Sequence, residues 1–132
     1  MQRILPTIFI VDDETIIAET LTMILRKHGF VAKSFTDPRE ALNAARREAP
    51  DIVLSDVMMP ELSGIELAIA IQEECPGCKI MLFSGHAHTL DLISMAKAKG
   101  YDFSLLEKPF HPADLLKRIR EQDPAWAAVA TP

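Results

Sequence analysis

Three acidic side chains, Asp12, Asp13 and Asp56, stand at the ends of short apolar runs. Thr7-Ile8-Phe9-Ile10-Val11 leads into the first two, and Asp51-Ile52-Val53-Leu54-Ser55 into the third. Continuous apolar runs of this kind read as strands buried on both faces. In an open parallel sheet, the residues just past the carboxyl ends of such strands look into a common crevice. Carboxylates gathered there repel one another unless a cation neutralises them. The three therefore define a divalent-metal pocket that also contains a potential nucleophile. Ser84, after Ile80-Met81-Leu82-Phe83, and Lys108, after Leu105-Leu106-Glu107, close two further runs. One polar residue at one strand end carries little meaning, because loops are polar everywhere. Asp12 with Asp13, Asp56, Ser84 and Lys108 converging on one rim is a site.

Each residue also has a plainer use. Asp12 and Asp13 could interact with the dipole of a following helix, Asp56 could be a loop residue, Ser84 could open a turn with Gly85, and Lys108 could be a solvated strand end. The rim reading rests on all of them together.

The elements that must position these residues are legible from periodicity. Strands are expected at 7–12, 30–35, 51–56, 79–84 and 103–107, and helices at 14–28, 37–48, 63–74, 89–98 and 112–122. In the first helix, Ile16, Ile17, Leu21, Ile24 and Leu25 form the core-facing stripe, and Lys27-His28-Gly29 supplies a basic last turn and a terminating glycine. Asp37-Pro38-Arg39-Glu40 opens the second helix and Ser63-Gly64-Ile65-Glu66 the third, each with a cap and a glutamate three residues on. Pro112 lies in the first turn of the fifth, whose stripe is Leu115, Leu116 and Ile119. Five strands alternating with five helices through short loops specify an α/β sandwich with a mainly parallel sheet and helices on both faces.

Composition narrows the function. The chain has 132 residues, enough for one domain, and 48% of them are hydrophobic, as in ordinary globular proteins. A net charge of -5 without a dense basic stretch argues against direct nucleic acid binding. No apolar segment approaches membrane-spanning length, and the short apolar N-terminal stretch running into Asp12-Asp13-Glu14 is not a signal peptide, so a cytoplasmic location is expected. Cys75-Pro76-Gly77-Cys78 lacks the second pair a zinc site needs and follows a helix instead of opening one, where a reactive thiol would be favoured. It is read as turn chemistry. Met58, Met59, Met81 and Met95 are read as packing residues, and His86 and His88 as solvated loop residues. Residues 1–122 form the domain. The last residues, 123–132, form a tail, with Trp126 expected to pack back on the last helix.

The rim resembles that of the receiver domains of two-component response regulators. The resemblance is carried by Asp12-Asp13 after the first strand, Asp56-Val57-Met58-Met59-Pro60 after the third, Gly64 eight residues past Asp56, Ser84 after the fourth, and Lys108-Pro109-Phe110 after the fifth. It covers the whole domain, and it implies a flavodoxin-like, doubly wound sheet of five parallel strands in the order 2-1-3-4-5. It implies that Asp56 is the nucleophile that becomes an acyl phosphate. Asp13, Asp56 and the backbone carbonyl of Met58 would hold magnesium directly, with Asp12 acting through water, a donor set suited to that ion. Lys108 would meet the phosphoryl oxygens, aimed by a cis Lys108–Pro109 peptide, and the Ser84 hydroxyl would turn toward the phosphoryl group. The implied partners are a histidine kinase or phosphotransfer protein upstream and an unknown target downstream, met through the face of the fourth helix, fifth strand and fifth helix. The chain would be a monomer or a weak phosphorylation-linked dimer, either a stand-alone receiver or a fragment of a longer regulator. It would be no enzyme beyond accepting and slowly losing its own phosphoryl group.

The chain departs from the family pattern at the output end. Three residues before the lysine the family usually has an aromatic that turns inward; here that residue is Leu105. Either Phe103 substitutes after a local shift, or the switch lacks an aromatic step, and we favour the second. Glu107 before the lysine and Gly85 after Ser84 are also unusual. Two alternatives compete with the phosphoacceptor: a haloacid dehalogenase-like phosphatase, disfavoured by adjacent Asp12 and Asp13 and by a length that leaves no cap domain, and a receiver-like interaction module that is never phosphorylated.

Overall fold

A computed structural model describes residues 6–59, 62–85 and 89–123. Ten elements alternate: β1 (Thr7–Val11), α1 (Thr15–Lys27), β2 (Val31–Phe35), α2 (Pro38–Arg47), β3 (Ile52–Asp56), α3 (Gly64–Glu74), β4 (Lys79–Ser84), α4 (Thr89–Ala98), β5 (Ser104–Glu107) and α5 (Pro112–Gln122). The strands lie in the order β2-β1-β3-β4-β5, and every pair is parallel. This is the flavodoxin-like sheet that the resemblance implied.

Alternation along each strand sorts the side chains into two cores. Ile8, Ile10, Ile52, Leu54, Met81, Phe83 and Leu106 pack with α1 and α5 on one side. Phe9, Val11, Val53, Ile80 and Leu82 pack with α2, α3 and α4 on the other. Both faces of the central strands are covered, which is why β1, β3 and β4 read as nearly unbroken apolar runs, whereas the edge strand β2 is largely exposed. Each fully buried aliphatic side chain here contributes on the order of 1.5–3 kcal/mol.

Helix ends follow local chemistry. The Asp37 carboxylate accepts from Arg39 N–H at 2.9 Å, and Arg39 holds that carboxyl below its ordinary range. Ser63 and Glu66 form the expected capping box. Gly29, with φ +92°, takes the left-handed turn after α1. At α5 the cap is one that sequence pattern did not disclose: the His111 ring accepts from Ala113 N–H at 3.0 Å while Asp114 returns the bond to His111 N–H.

Several expectations need correction. Ile16 is 81% exposed and Met23 70%, so the buried stripe of α1 is Ala18, Leu21, Thr22 and Leu25. Ile16 and Ala18 are about 200° apart around a helix, and only one of them can face the sheet. Met59 and Met81 pack inside, but Met58 is 46% exposed and Met95 60%. Met58 lies just beyond β3 and Met95 on the outer side of α4, so neither fills the core. Phe103 is buried ahead of β5 and stacks on Tyr101 at 6.1 Å. Leu105 sits inside β5 opposite Leu82, so an aliphatic residue does occupy that position of the strand. Pro60, His86, His88 and Trp126 lie outside the described residues, and of the expected tail only Asp123 is described.

Cys75 and Cys78 are free thiols in a turn closed by the Cys78 N–H to Cys75 carbonyl bond at 3.0 Å. Burial pushes the Cys78 thiol up to about 12, far from the thiolate that redox chemistry needs. Iodoacetamide at neutral pH is therefore expected to leave Cys78 unmodified in the native protein and to alkylate it after unfolding, as read by peptide mass. Equal labelling of Cys78 in both states would count against this burial.

Candidate functional site

The order β2-β1-β3 means that the connections from β1 and β3 leave toward opposite sides, which opens a crevice at their carboxyl ends. Register fills it. Ile8 and Ile10 share a sheet face, and continuing the alternation puts Asp12 on that face, one residue past β1. Ile52 and Leu54 do the same for Asp56, the last residue of β3. On β5, Leu106 does so for Lys108. The two-residue period thus aims two acids and a cation at one spot.

Asp12, Asp13 and Asp56 each present a carboxylate oxygen within 4.8 Å of the others. Asp12 has no exposed surface and Asp56 is 6% exposed, whereas Asp13 is open to solvent. The two oxygens of Asp12 lead different lives. Oδ1 accepts from Glu14 N–H at 2.9 Å, at the start of α1, so the plainer helix-end use of this residue is real for that atom. Oδ2 is buried with no hydrogen-bond partner, alone in this among the described buried side-chain polar atoms. Such an atom is costly unless something charged completes it. Burial, together with the charges of Asp56 and Asp13, pushes the Asp12 carboxyl up to about 6, against the opposing Glu14 N–H and Lys108. An acidic pocket of this kind could hold a hard cation, which takes carboxylate oxygens readily.

Lys108 supplies the opposing charge. Its Nζ is 3.4 Å from Asp56 Oδ2 and 3.9 Å from Asp12 Oδ2, and its side chain is 27% exposed. The Lys108–Pro109 peptide is cis. Lys108 N–H donates to the Ser84 carbonyl at 2.9 Å, so β4 and β5 stay paired up to the rim. Ser84 is buried at the end of β4, but alternation assigns its side chain to the face of Leu82 and not to that of Phe83.

The loop after β3 is fixed by close backbone packing. Met58 N–H donates to Asp56 Oδ1 at 3.3 Å, and Gly64 N–H donates to the Val57 carbonyl at 2.9 Å. A Cβ added to Gly64 would collide with the Asp56 carbonyl oxygen and lie 2.9 Å from Val57 Cα. Backbone cannot yield as a flexible side chain can. Gly64→Ala is therefore expected to cost about 1–3 kcal/mol in urea unfolding and to displace Asp56. Unchanged stability would show that the loop has slack. Gly85 differs, since a Cβ there would meet only Lys108 Cβ at 3.8 Å, so alanine fits.

A family model, the response regulator receiver domain, matches residues 8–120. The chain belongs to this family. Among its relatives, "Probable transcriptional regulatory protein TcrX" of Mycobacterium tuberculosis is 35% identical over 114 residues, covering 86% of this chain and 48% of the relative. "DNA-binding response regulator MtrA" of Mycobacterium leprae is 34% identical over 113 residues, covering 86% of this chain and 49% of the relative. The chain thus spans about half the length of these curated relatives. Of solved structures, a CheY-like receiver domain from Methanospirillum hungatei superposes with a TM-score of 0.82 at 30% identity, covering 90% of this chain and 94% of that one. The chemotaxis protein CheY4 of Vibrio cholerae does so with a TM-score of 0.79 at 28% identity, covering 89% and 98%.

Within this receiver domain, the structure brings Asp12, Asp13, Asp56 and Lys108 together and sets Ser84 beside them at the end of the neighbouring strand. One contact at the rim escaped the sequence. Lys108 Nζ lies over the ring of Phe83, 4.9 Å from its centroid. The only signal was register: Phe83 pairs with Asp56 and shares its sheet face. Among the described residues no helix is long and apolar enough to cross a membrane.

Proposed function

We propose that this receiver is a phosphoacceptor switch in which Asp56 carries the phosphoryl group. An Asp56 carboxylate oxygen attacks the phosphorus of a phosphohistidine on a histidine kinase or phosphotransfer protein. The new O–P bond forms as the P–N bond breaks, and the freed imidazole takes up a proton. Asp13, Asp56 and the Met58 backbone carbonyl would hold a magnesium ion, with Asp12 acting through water, and the ion would offset the charge of the carboxylate and phosphoryl oxygens. Lys108 meets the phosphoryl oxygens from the other side and stabilises the charge that accumulates there. The Ser84 hydroxyl turns toward the new group and draws its loop with it. The observation that carries this reading is the buried Asp12 Oδ2, without a hydrogen-bond partner, within a triad of carboxylates that faces Lys108.

Phosphorylation adds about two negative charges and strong acceptor oxygens at the rim. The response reaches the face of α4, β5 and α5, which binds a downstream partner differently in the two states, a shift of populations and not a new fold. Residues 1–122 act as the switch and 123–132 as a tail, in a cytoplasmic protein that needs no contact with nucleic acid for this step. Net turnover is confined to slow loss of its own phosphoryl group.

The test uses acetyl phosphate with magnesium, read by intact mass. One phosphoryl group is expected, mapped to Asp56 after borohydride trapping, and a chelator is expected to suppress it. An unchanged mass, under conditions that label another receiver, would remove the phosphoacceptor reading.

A further inference from the structure

Lys108 keeps more company than neutralising a phosphoryl group requires. Besides Asp56 and Asp12, its ammonium faces the Phe83 ring at 4.9 Å. Phe83 is fully buried, and its ring meets that of Phe110 edge-on, at 6.0 Å and 67°. Phe110 follows Lys108 by two residues, packs against the core shared with α1 and α5, and leads into α5. A cation over a ring face is held by the ring's quadrupole, more strongly where water is excluded. The Lys108 backbone is pinned to Ser84, so the remaining freedom lies in the side-chain torsions, and the ring restrains those.

We propose that Phe83 is a positioning residue for Lys108, and this rests on the phosphoacceptor role of Asp56. Its ring is the seat of the ammonium while Asp56 is unmodified. The ammonium, already 3.4 Å from Asp56 Oδ2, leaves that seat when the added charge of phosphoryl oxygens on Asp56 draws it off the ring. The uncovered ring then changes its contact with Phe110 at the entrance to α5. The aromatic residue that feels the site thus stands on β4, on the face shared with α1 and α5, while Leu105 on the opposite face has no ring to move.

The seat has a direct spectroscopic signature, because protons above a ring face resonate upfield. In proton–carbon spectra of the full chain, with the signal assigned through Lys108→Arg, the Lys108 Cε methylene is expected upfield of exposed lysines such as Lys33 and Lys79. Phe83→Leu keeps the apolar volume but removes the ring face, and is expected to return the signal to its ordinary place; Phe83→Met serves if that variant does not fold. Acetyl phosphate with magnesium is expected to do the same to the wild type in step with the gain in mass. An ordinary signal in the unmodified wild type, or an upfield signal that survives complete phosphorylation, overturns the proposal. A mass that never changes takes down the phosphoacceptor reading and the departure of the ammonium with it, whereas the seat itself stands or falls on the wild type against Phe83→Leu.

Discussion

Asp56→Asn is expected to gain no mass from acetyl phosphate and magnesium, while the wild type gains one phosphoryl group. Asparagine is nearly the same size and its amide oxygen can still accept from Met58 N–H, the bond Asp56 Oδ1 makes at 3.3 Å. The loop after β3 therefore keeps its shape, and the loss is chemical. An amide lacks the anionic oxygen that attacks phosphorus, and the change removes one of the three charges in the pocket as well as the Lys108 partner at 3.4 Å. The loss is all-or-none, because among the described residues no second carboxylate combines the depth of Asp56 with its distance from Lys108: Asp13 is exposed, and Asp12 commits one oxygen to α1. Labelling of Asp56→Asn at the wild-type rate would place the acceptor elsewhere.

Asp12→Asn is expected to raise the metal-free unfolding midpoint by roughly 10 °C at neutral pH. The Asp12 carboxyl moves from its ordinary 3.8 up to about 6, first because of burial and then because of Asp56 and Asp13. The folded chain thus holds this proton more tightly than the unfolded chain does. Its stabilising effect is complete below 3.8 and is lost as pH rises through about 6. Above that window the charged group costs up to about 3 kcal/mol, at about 1.4 kcal/mol per pH unit. Asparagine keeps the acceptor for Glu14 N–H and discards the charge. Magnesium is expected to raise the wild-type midpoint clearly at neutral pH and less near pH 4, where protons compete for the same oxygens, and to raise that of the variant by less, because Asp13, Asp56 and Met58 remain but the water-mediated charge is gone. Circular dichroism melts across this range decide it. A wild-type deficit that does not change with pH would remove the electrostatic cause.

Most of the fold was legible because its signals are local. Asp37, Ser63 and Gly29 mark helix ends by their own hydrogen-bonding and backbone preferences, and the short apolar runs at β1, β3 and β4 read as buried strands by their length and their flanking polar residues. Sheet order came from resemblance, because nothing local says which parallel strands are neighbours. The site was legible at the level of residue types: Asp12, Asp13, Asp56 and Lys108 do meet. Its division of labour was not. That one Asp12 oxygen serves α1 while the other faces Lys108 without a hydrogen bond depends on distances no spacing encodes. Phe83 read as one more core residue, because its contact with Lys108 depends on how the neighbouring strands β4 and β5 are registered. Ile16 misled because apolar residues at 16, 17 and 18 leave the facing direction of the helix open until the sheet is in place.

The close fit of Gly64 under the Asp56 carbonyl has a mechanical consequence. The third helix acts as a backstop, its first residue abutting the main chain of Asp56 and Val57 with no side chain between. On the phosphoacceptor reading proposed above, Asp56 is backed by main chain on the α3 side, so its loop has least room to move in that direction.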